Sequence, residues 1–360
     1  MKTPEKILYM ASTASHLRRF HEPYIAALRE RYEVQTLASG TGVDHPVPIR
    51  KSLFTLRHFG EVRQIRRILK RERFDAVIVH TTLAAALLRL ALRGVRPRPH
   101  VLNVVHGYLF SDPPRGMRDR LLRRVEQMLA KRTDAIAVMN AHDLAVAEKY
   151  ALCRGEVRFL HGMGLPPHAV PEPDPKLRMR YAAKKDRLLT YVGELSGRKN
   201  QIFLIRCLER LRGEGLPVRL LLVGDGEEHT ALIHEVGKRG LGESVFFAGS
   251  REDVWPYLAV TDLYVSASRS EGLPFNVLEA MQCGLPIVAS DVRGQSDLLP
   301  PERLYPLNDE EAFCAAVRAA LESGTTGVGA VTYPNLADYL LPSVFDEDLN
   351  FFQTGVLGNK

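Results

Sequence analysis

The chain has 360 residues, 45% of them hydrophobic and 25% charged, with 27 Gly, 22 Pro, four cysteines and a formal net charge of +7. At roughly 100–200 residues per domain this is material for two buried cores, and the composition excludes a collagen-like, disordered or disulfide-scaffold chain. Cys153, Cys207, Cys283 and Cys314 are widely spaced and form no C-x-x-C pair, so reduced cytosolic thiols are expected rather than a metal knuckle or a secreted framework.

The charge is split between the two halves. Residues 1–186 hold 34 Lys+Arg against 18 Asp+Glu, a net +16, and the remainder holds 15 against 24, a net −9. A basic first half implies anionic partners: phosphate, lipid headgroups or nucleic acid. The opening MKTPEKILYMAST has too short an apolar run for a secretory leader. The most apolar stretch, Thr81–Leu92, is interrupted by Arg89 and falls short of the roughly 18 residues that cross a bilayer. The expected location is the cytoplasm, free or against a membrane surface.

In chain order, KILYMAS, YEVQTLAS, FDAVIVH, PHVLNVVH and DAIAVMN read as strands with helices between them. Gly164 to Pro175 then packs five prolines into twelve residues, which neither a helix nor an inner strand sustains, so residues 165–185 read as a semi-rigid linker. Beyond it LLTYVGEL, VRLLLVG, SVFFAG, DLYVSAS and LPIVAS are short continuous apolar runs, as in strands buried on both faces. Amphipathic segments at 201–212, 227–239, 253–260, 274–283 and 309–321 separate or follow them. Such alternation gives a parallel, doubly wound sheet. The expected fold class is α/β: two Rossmann-like domains, 1–164 and 186–330, with a cleft between them and a tail at 331–360 that is a candidate to pack back on the first domain. Asp338 to Phe352 has an apolar face for a helix in that tail, with Pro342 arguing against its continuity.

Ligands of such sheets bind outside the carboxyl ends of the strands. After DLYVSAS, Glu271 stands at the strand-to-helix turn, with Gly272 and Leu273 offering free N–H groups to an anion, Pro274 at the first helical position and Glu279 inside the helix. The two glutamates can accept hydrogen bonds from sugar hydroxyls and a ribose, or can be solvated helix-flank residues. After LLTYV, Gly193 and Gly197 permit close backbone approach, and Arg198-Lys199 places two cations at the strand end, suited to a diphosphate or simply to a basic loop. Gly224-Asp-Gly226 reads as a tight turn, and Arg251 as a nucleobase contact or a surface arginine. In the first half, His106 follows a strand and precedes a glycine, and His16, Arg18, Arg19 and His21 cluster after the first strand, placed for an acceptor or its phosphates, or forming a solvated basic loop.

The stretch EGLPFNVLEAMQCGLPIVASD, with seven residues between Glu271 and Glu279, resembles the E-x7-E motif of family-4 glycosyltransferases. The resemblance runs over about residues 185–310, through YVGELSGRKNQ and VGDGEE, and HGYLF and ILYMASTASHLRRFHEPY resemble members that build bacterial capsule and exopolysaccharide. It implies the two-domain GT-B fold and a metal-independent, retaining transfer of a sugar from a nucleotide-diphospho-sugar, UDP-linked, with no bound cofactor. Glu271 is implied at the donor sugar, Glu279 at the ribose, Lys199 at the diphosphate and His106 at the sugar from the opposite domain. Many members carry Arg directly after the first glycine of this loop; Glu194 stands there instead, with Arg198 as the substitute charge. The implied acceptor is a saccharide, including a lipid-linked one. The basic stretches 63–71 and 115–124 suit peripheral contact with the anionic inner membrane face, whereas no DNA-binding motif accompanies the charge, so nucleic acid is not an expected partner. Two other readings stay open: a GT-B-fold sugar-nucleotide epimerase, and a nucleotide-sugar-binding scaffold without turnover.

Overall fold

The computed structural model describes residues 6–50 and 55–357. By its internal contacts the chain divides into two compact units, residues 1–164 with 341–360, and residues 165–340.

The first unit runs β1 (Lys6–Thr13), α1 (Ala14–Phe20), α2 (Glu22–Arg29), β2 (Glu33–Ser39), β3 (His45–Pro46), α3 (His58–Glu72), β4 (Ala76–His80), α4 (Thr82–Ala91), β5 (His100–Val105), α5 (Met117–Leu129), β6 (Ala135–Val138), α6 (Ala141–Lys149) and β7 (Val157–Phe159). All pairings in its sheet are parallel, in the order β3-β2-β1-β4-β5-β6-β7. The order reverses between β1 and β4, which makes that junction the topological switch point. Alternation along the strands sends Leu8, Met10, Val77 and Val79 into the core shared with α3 and α4. Tyr9 and His80 stack on each other, with ring centroids 4.9 Å apart. Arg89, which interrupts the most apolar segment of the sequence, is fully buried: its guanidinium donates to both carboxylate oxygens of Glu126, at 2.8 and 3.0 Å, and to the Ala85 carbonyl.

The second unit runs α7 (Pro175–Tyr181), β8 (Arg187–Val192), α8 (Gln201–Gly213), β9 (Val218–Val223), α9 (His229–Lys238), β10 (Val245–Gly249), α10 (Trp255–Ala259), β11 (Leu263–Ser266), α11 (Phe275–Gln282), β12 (Ile287–Ser290), β13 (Leu304–Tyr305) and α12 (Glu310–Glu322). Its six-stranded parallel sheet has the order β10-β9-β8-β11-β12-β13, with the switch point between β8 and β11. Both faces are covered. Leu189, Tyr191, Leu220 and Leu222 pack with α8, α9 and α12, while Leu188, Leu221 and Val223 pack with α7, α10 and α11.

Two readings change, the separate linker and the break at Pro342. Residues 165–185 do not form a separate linker: they belong to the second unit, where α7 begins at Pro175 behind the Asp174 cap and buries Tyr181 and Ala182. The tail forms α13 (Leu341–Leu357), which packs on α2, β4 and β5 of the first unit; the last three residues of the chain lie outside the described ones. Pro342 does not break this helix because it lies in the first turn, where its missing N–H costs nothing. The buried face is Val344, Asp348, Phe351 and Phe352, while Tyr339 and Leu340 precede the helix. The sequence's one Asp-x-Asp string, Asp346-Glu347-Asp348, faces different partners: Glu347 pairs with Arg158 at 2.7 Å, and Asp348 accepts from the Tyr24 hydroxyl at 3.1 Å.

Candidate active site

In the second unit the loop after β8 and the loop after β11 meet at the switch point. Lys199 Nζ donates to Glu271 Oε1 at 2.6 Å, and Arg198 donates to Glu271 Oε2 and the Ser270 carbonyl at 2.8 and 2.9 Å. Glu271 is 6% exposed and Lys199 8%, while the Arg198 side chain is 49% exposed and opens to solvent. Burial alone would push the Glu271 carboxyl up, but Lys199 and Arg198 outweigh it and hold it below the ordinary carboxylate range. One anion therefore bridges two cations, and the pair has charge to spare for a second anion.

The two loops are sewn together by backbone. The Arg269 N–H donates to the Arg198 carbonyl at 2.8 Å, and the Arg269 guanidinium donates to the Gly197 carbonyl and to Asn200 Oδ1. Asn200 caps α8 in a left-handed conformation, which turns the chain from the loop into the helix. Behind Glu271, Gly294 has φ +81°, and a Cβ there would stand 2.6 Å from the Gly272 carbonyl and 3.0 Å from Glu271 Cβ. Arg293 donates to Ser270 Oγ at 2.9 Å from the same turn. Neither Asn200, Arg269 nor Gly294 was singled out in the sequence. A left-handed asparagine just before a helix and a glycine one residue past an arginine are too common to mark a site without the fold.

Gly193 has φ +141°, and a Cβ there would lie 2.7 Å from the Tyr191 hydroxyl. The Gly224-Asp-Gly226 turn does more than link β9 to α9. A Cβ on Gly224 would stand 1.9 Å from the Gly193 carbonyl and one on Gly226 2.2 Å from the Leu195 carbonyl, while the Leu195 N–H donates to the Asp225 carbonyl. This turn is the floor on which the Gly193 loop lies. Glu194 is exposed, and its carbonyl accepts from the Gln201 amide at 2.8 Å. Pro274 is the cap preceding α11 rather than its first residue, with Gly272 and Leu273 in the turn before it. Asn276 donates to the Val192 carbonyl and the Tyr264 hydroxyl, both at 2.8 Å, and fixes the start of α11 to the end of β8. Glu279 lies in the second turn of α11, buried, and Gly284 ends the helix at φ +63°. Arg251 follows β10, two strands away from β8, with its guanidinium over the Tyr257 ring at 5.7 Å.

In the first unit, His106 follows β5 and meets His80, the last residue of β4, through an Nε2–Nδ1 hydrogen bond of 3.2 Å. His16 and His21 pack beside them, while Arg18 and Arg19 on the same helix point to solvent, Arg18 onto the Thr41 carbonyl. The structure thus splits the basic segment after β1 into an inner histidine pair and an outer arginine pair. Burial lowers all four imidazoles, His16 to about 4 and the others well below their ordinary value.

Among known proteins, residues 8–162 match the family model "Glycosyltransferase Family 4" and residues 186–323 match "Glycosyl transferases group 1". The chain is 29% identical over 329 residues to the "Putative glycosyltransferase EpsD" of Bacillus subtilis, covering 87% of this chain and 86% of that protein. It is 27% identical over 263 residues to the UDP-Gal:alpha-D-GlcNAc-diphosphoundecaprenol alpha-1,3-galactosyltransferase of Escherichia coli, covering 70% and 67%. Anabaena HepE, crystallised with UDP and glucose, superposes with a TM-score of 0.77 at 18% identity, covering 97% of this chain and all of that one. With both sheets doubly wound and both halves matched in order, the chain belongs to the family-4 glycosyltransferases.

Proposed function

We propose that this glycosyltransferase moves a sugar, with retention, from a UDP-linked donor to a growing saccharide carried on a lipid diphosphate, in capsule, exopolysaccharide or lipopolysaccharide assembly at the cytoplasmic membrane face. The observation that carries the donor half is the Arg198–Lys199–Glu271 cluster at the β8–β11 switch point. Breaking the anomeric C–O bond leaves a nucleoside diphosphate, and the barrier lies in the negative charge growing on the leaving oxygen. Arg198 and Lys199 sit ready for that charge, and one preorganised donor of this kind is typically worth about 3–4 kcal/mol. Glu271 holds both cations in place and presents its carboxylate to donor hydroxyls. Gly193 keeps the loop free of a side chain so that backbone N–H groups can reach the phosphates. Glu279, one helical turn and more beyond Glu271, is assigned to the ribose, Arg251 with Tyr257 to the base, Gly272, Leu273 and Pro274 to the phosphate side of the turn, and His106 to the sugar, following the family resemblance.

The UDP reading is supported by the donor of the galactosyltransferase relative and by the nucleotide bound to HepE, and the lipid-linked acceptor by that relative's diphosphoundecaprenol substrate. The first unit supports the membrane side. Arg63, Arg66, Arg67 and Lys70 line one face of α3, where Phe59 is 76% exposed, and α5 leaves Met117, Leu121 and Met128 exposed beside its arginines. Basic helices with protruding apolar side chains suit an anionic lipid surface. No described helix is long and apolar enough to cross a membrane.

The test is a panel of nucleotide-sugars screened by thermal shift, since a true donor raises the melting temperature by mass action, followed by transfer to a lipid-diphosphate saccharide. Transfer of the stabilising sugar is the expected result. Donor isomerised without acceptor would make the chain an epimerase, and stabilisation without transfer or hydrolysis would make it a binding scaffold.

A further inference from the structure

One guanidinium brackets the Arg198-Lys199 couple. Arg269 Nε donates to the carbonyl of Gly197, the residue before the couple, at 3.2 Å. Arg269 Nη2 donates to Oδ1 of Asn200, the residue after it, at 2.8 Å. The remaining nitrogen, Nη1, reaches Oδ1 of Asn308 at 3.3 Å, and the Asn200 amide donates to that same oxygen at 3.3 Å. The Arg269 backbone N–H donates to the Arg198 carbonyl at 2.8 Å. The loops after β8, β11 and β13 thus meet on a single side chain.

Both asparagines stand in an uncommon backbone conformation. Among the described residues five non-glycines have positive φ, and Asn200 at +60° and Asn308 at +64° are two of them. Asparagine tolerates this region better than most residues, yet a residue stays there only where its surroundings hold it. Asn200 is the N-cap of α8, a place where an asparagine side chain ordinarily accepts from the helix's own N–H groups. It makes no such bond. The chain gives up a local helix contact for a link between loops, and the two cations are what that link surrounds.

We propose that Arg269, acting through Asn200 and Asn308, is a positioning residue for the transfer, holding the backbone of Arg198 and Lys199 in place for the charge that grows on the leaving diphosphate. Glu271, two residues further along the same loop, fixes the side-chain ends of the couple. Arg269 fixes the backbone from which they start, and it needs no contact with the donor to do so. The role depends on shape more than on charge. A planar fork offers N–H groups in several directions at once, which an ammonium on a flexible stem does not match. This inference rests on the donor-site reading above and adds a residue to it. Fixed groups stabilise a transition state because they need not reorganise as charge develops. A loosened loop therefore lowers turnover more than it lowers binding of a diphosphate that mobile side chains can still follow.

Arg269→Lys, Arg269→Gln and Asn308→Gly are compared with wild type in the full chain. Three quantities are read: turnover of the donor found by thermal shift, UDP affinity by calorimetric titration, and amide exchange of residues 197–200. Asn308→Gly keeps the left-handed turn and removes only the side-chain amide, so it tests the link without disturbing the fold. Both Arg269 variants should lose about tenfold or more in kcat, and Asn308→Gly a smaller factor in the same direction. UDP affinity should stay within about threefold of wild type in all three. Exchange at 197–200 should quicken while circular dichroism and melting temperature show folded chains. Full rescue by Arg269→Lys would mean that the charge acts on the phosphates directly, and it overturns the clamp. Wild-type turnover in folded Arg269→Gln overturns it too, as does a loss confined to UDP affinity. If the wild-type chain binds UDP without turning over any donor, exchange decides, and an unchanged rate in Arg269→Gln overturns the clamp. Failure of the donor-site reading itself shows separately, as undiminished UDP affinity in folded Lys199→Ala.

Discussion

Glu271 is the residue on which the proposed donor site turns, because it is the buried anion that two cations share. Glu271→Ala removes the carboxylate that orients Lys199 and Arg198 and should lower turnover by at least about 100-fold, measured as transfer with the donor found by thermal shift. The depressed Glu271 carboxyl has a stability consequence as well. Its ionised form is favoured by the fold, so that contribution is present at neutral pH and is lost as pH falls below the unfolded carboxylate range near 4.5. Asp348 works in the opposite sense. Burial beneath Tyr24 raises its carboxyl to about 7 from 3.8, so between those values the folded chain holds a proton that the unfolded chain has released. Stability should therefore fall as pH rises from about 4 to about 7, and Asp348→Asn should flatten that slope in urea unfolding followed across the window. The glutamates were legible at one strand–turn–helix pattern, after β11, and the arginine–lysine couple and Gly193 at a second, after β8. The histidine cluster was half legible: His16 and His21 were visible as a pair, but only the parallel order of β1, β4 and β5 brings His80 and His106 to them from far along the chain.

At the scale of elements, tight backbone approaches place the site. Gly224→Ala sets a methyl carbon into the Gly193 carbonyl at a φ of +146° that side chains rarely adopt. It should displace the phosphate-side loop, cut donor affinity by at least about tenfold and cost about 1–3 kcal/mol of stability, read by calorimetric titration and chemical unfolding. The α4–α5 packing depends on one buried ion pair. Arg89→Leu strands the Glu126 carboxylate and should destabilise the chain by about 3–5 kcal/mol, while adding Glu126→Leu should recover most of that loss. Long apolar runs declared their strands in the sequence. β3, β7 and β13, with only two or three residues each, did not, since a run that short has no period to read. Pro342 misled for a physical reason: a proline breaks a helix interior but opens a helix start, and the sequence alone does not say which turn it occupies.

For the whole molecule, the charge imbalance and the two doubly wound sheets are one design seen twice. The basic half carries the α3 and α5 surfaces suited to anionic lipid, and the acidic half holds a compact cationic pair where its sheet reverses direction. Flotation with vesicles containing anionic lipid should retain the wild-type chain at low salt and release it as ionic strength rises, and Arg63→Glu with Arg67→Glu should abolish retention without altering UDP affinity. The measurement that bears most directly on the donor site is the equilibrium affinity of the full chain for UDP, compared between wild type and Lys199→Ala. Loss of one charged hydrogen bond to the diphosphate predicts a 10- to 100-fold weakening, equivalent to about 1.5–3 kcal/mol. Equal affinity in a folded Lys199→Ala chain would contradict the assignment.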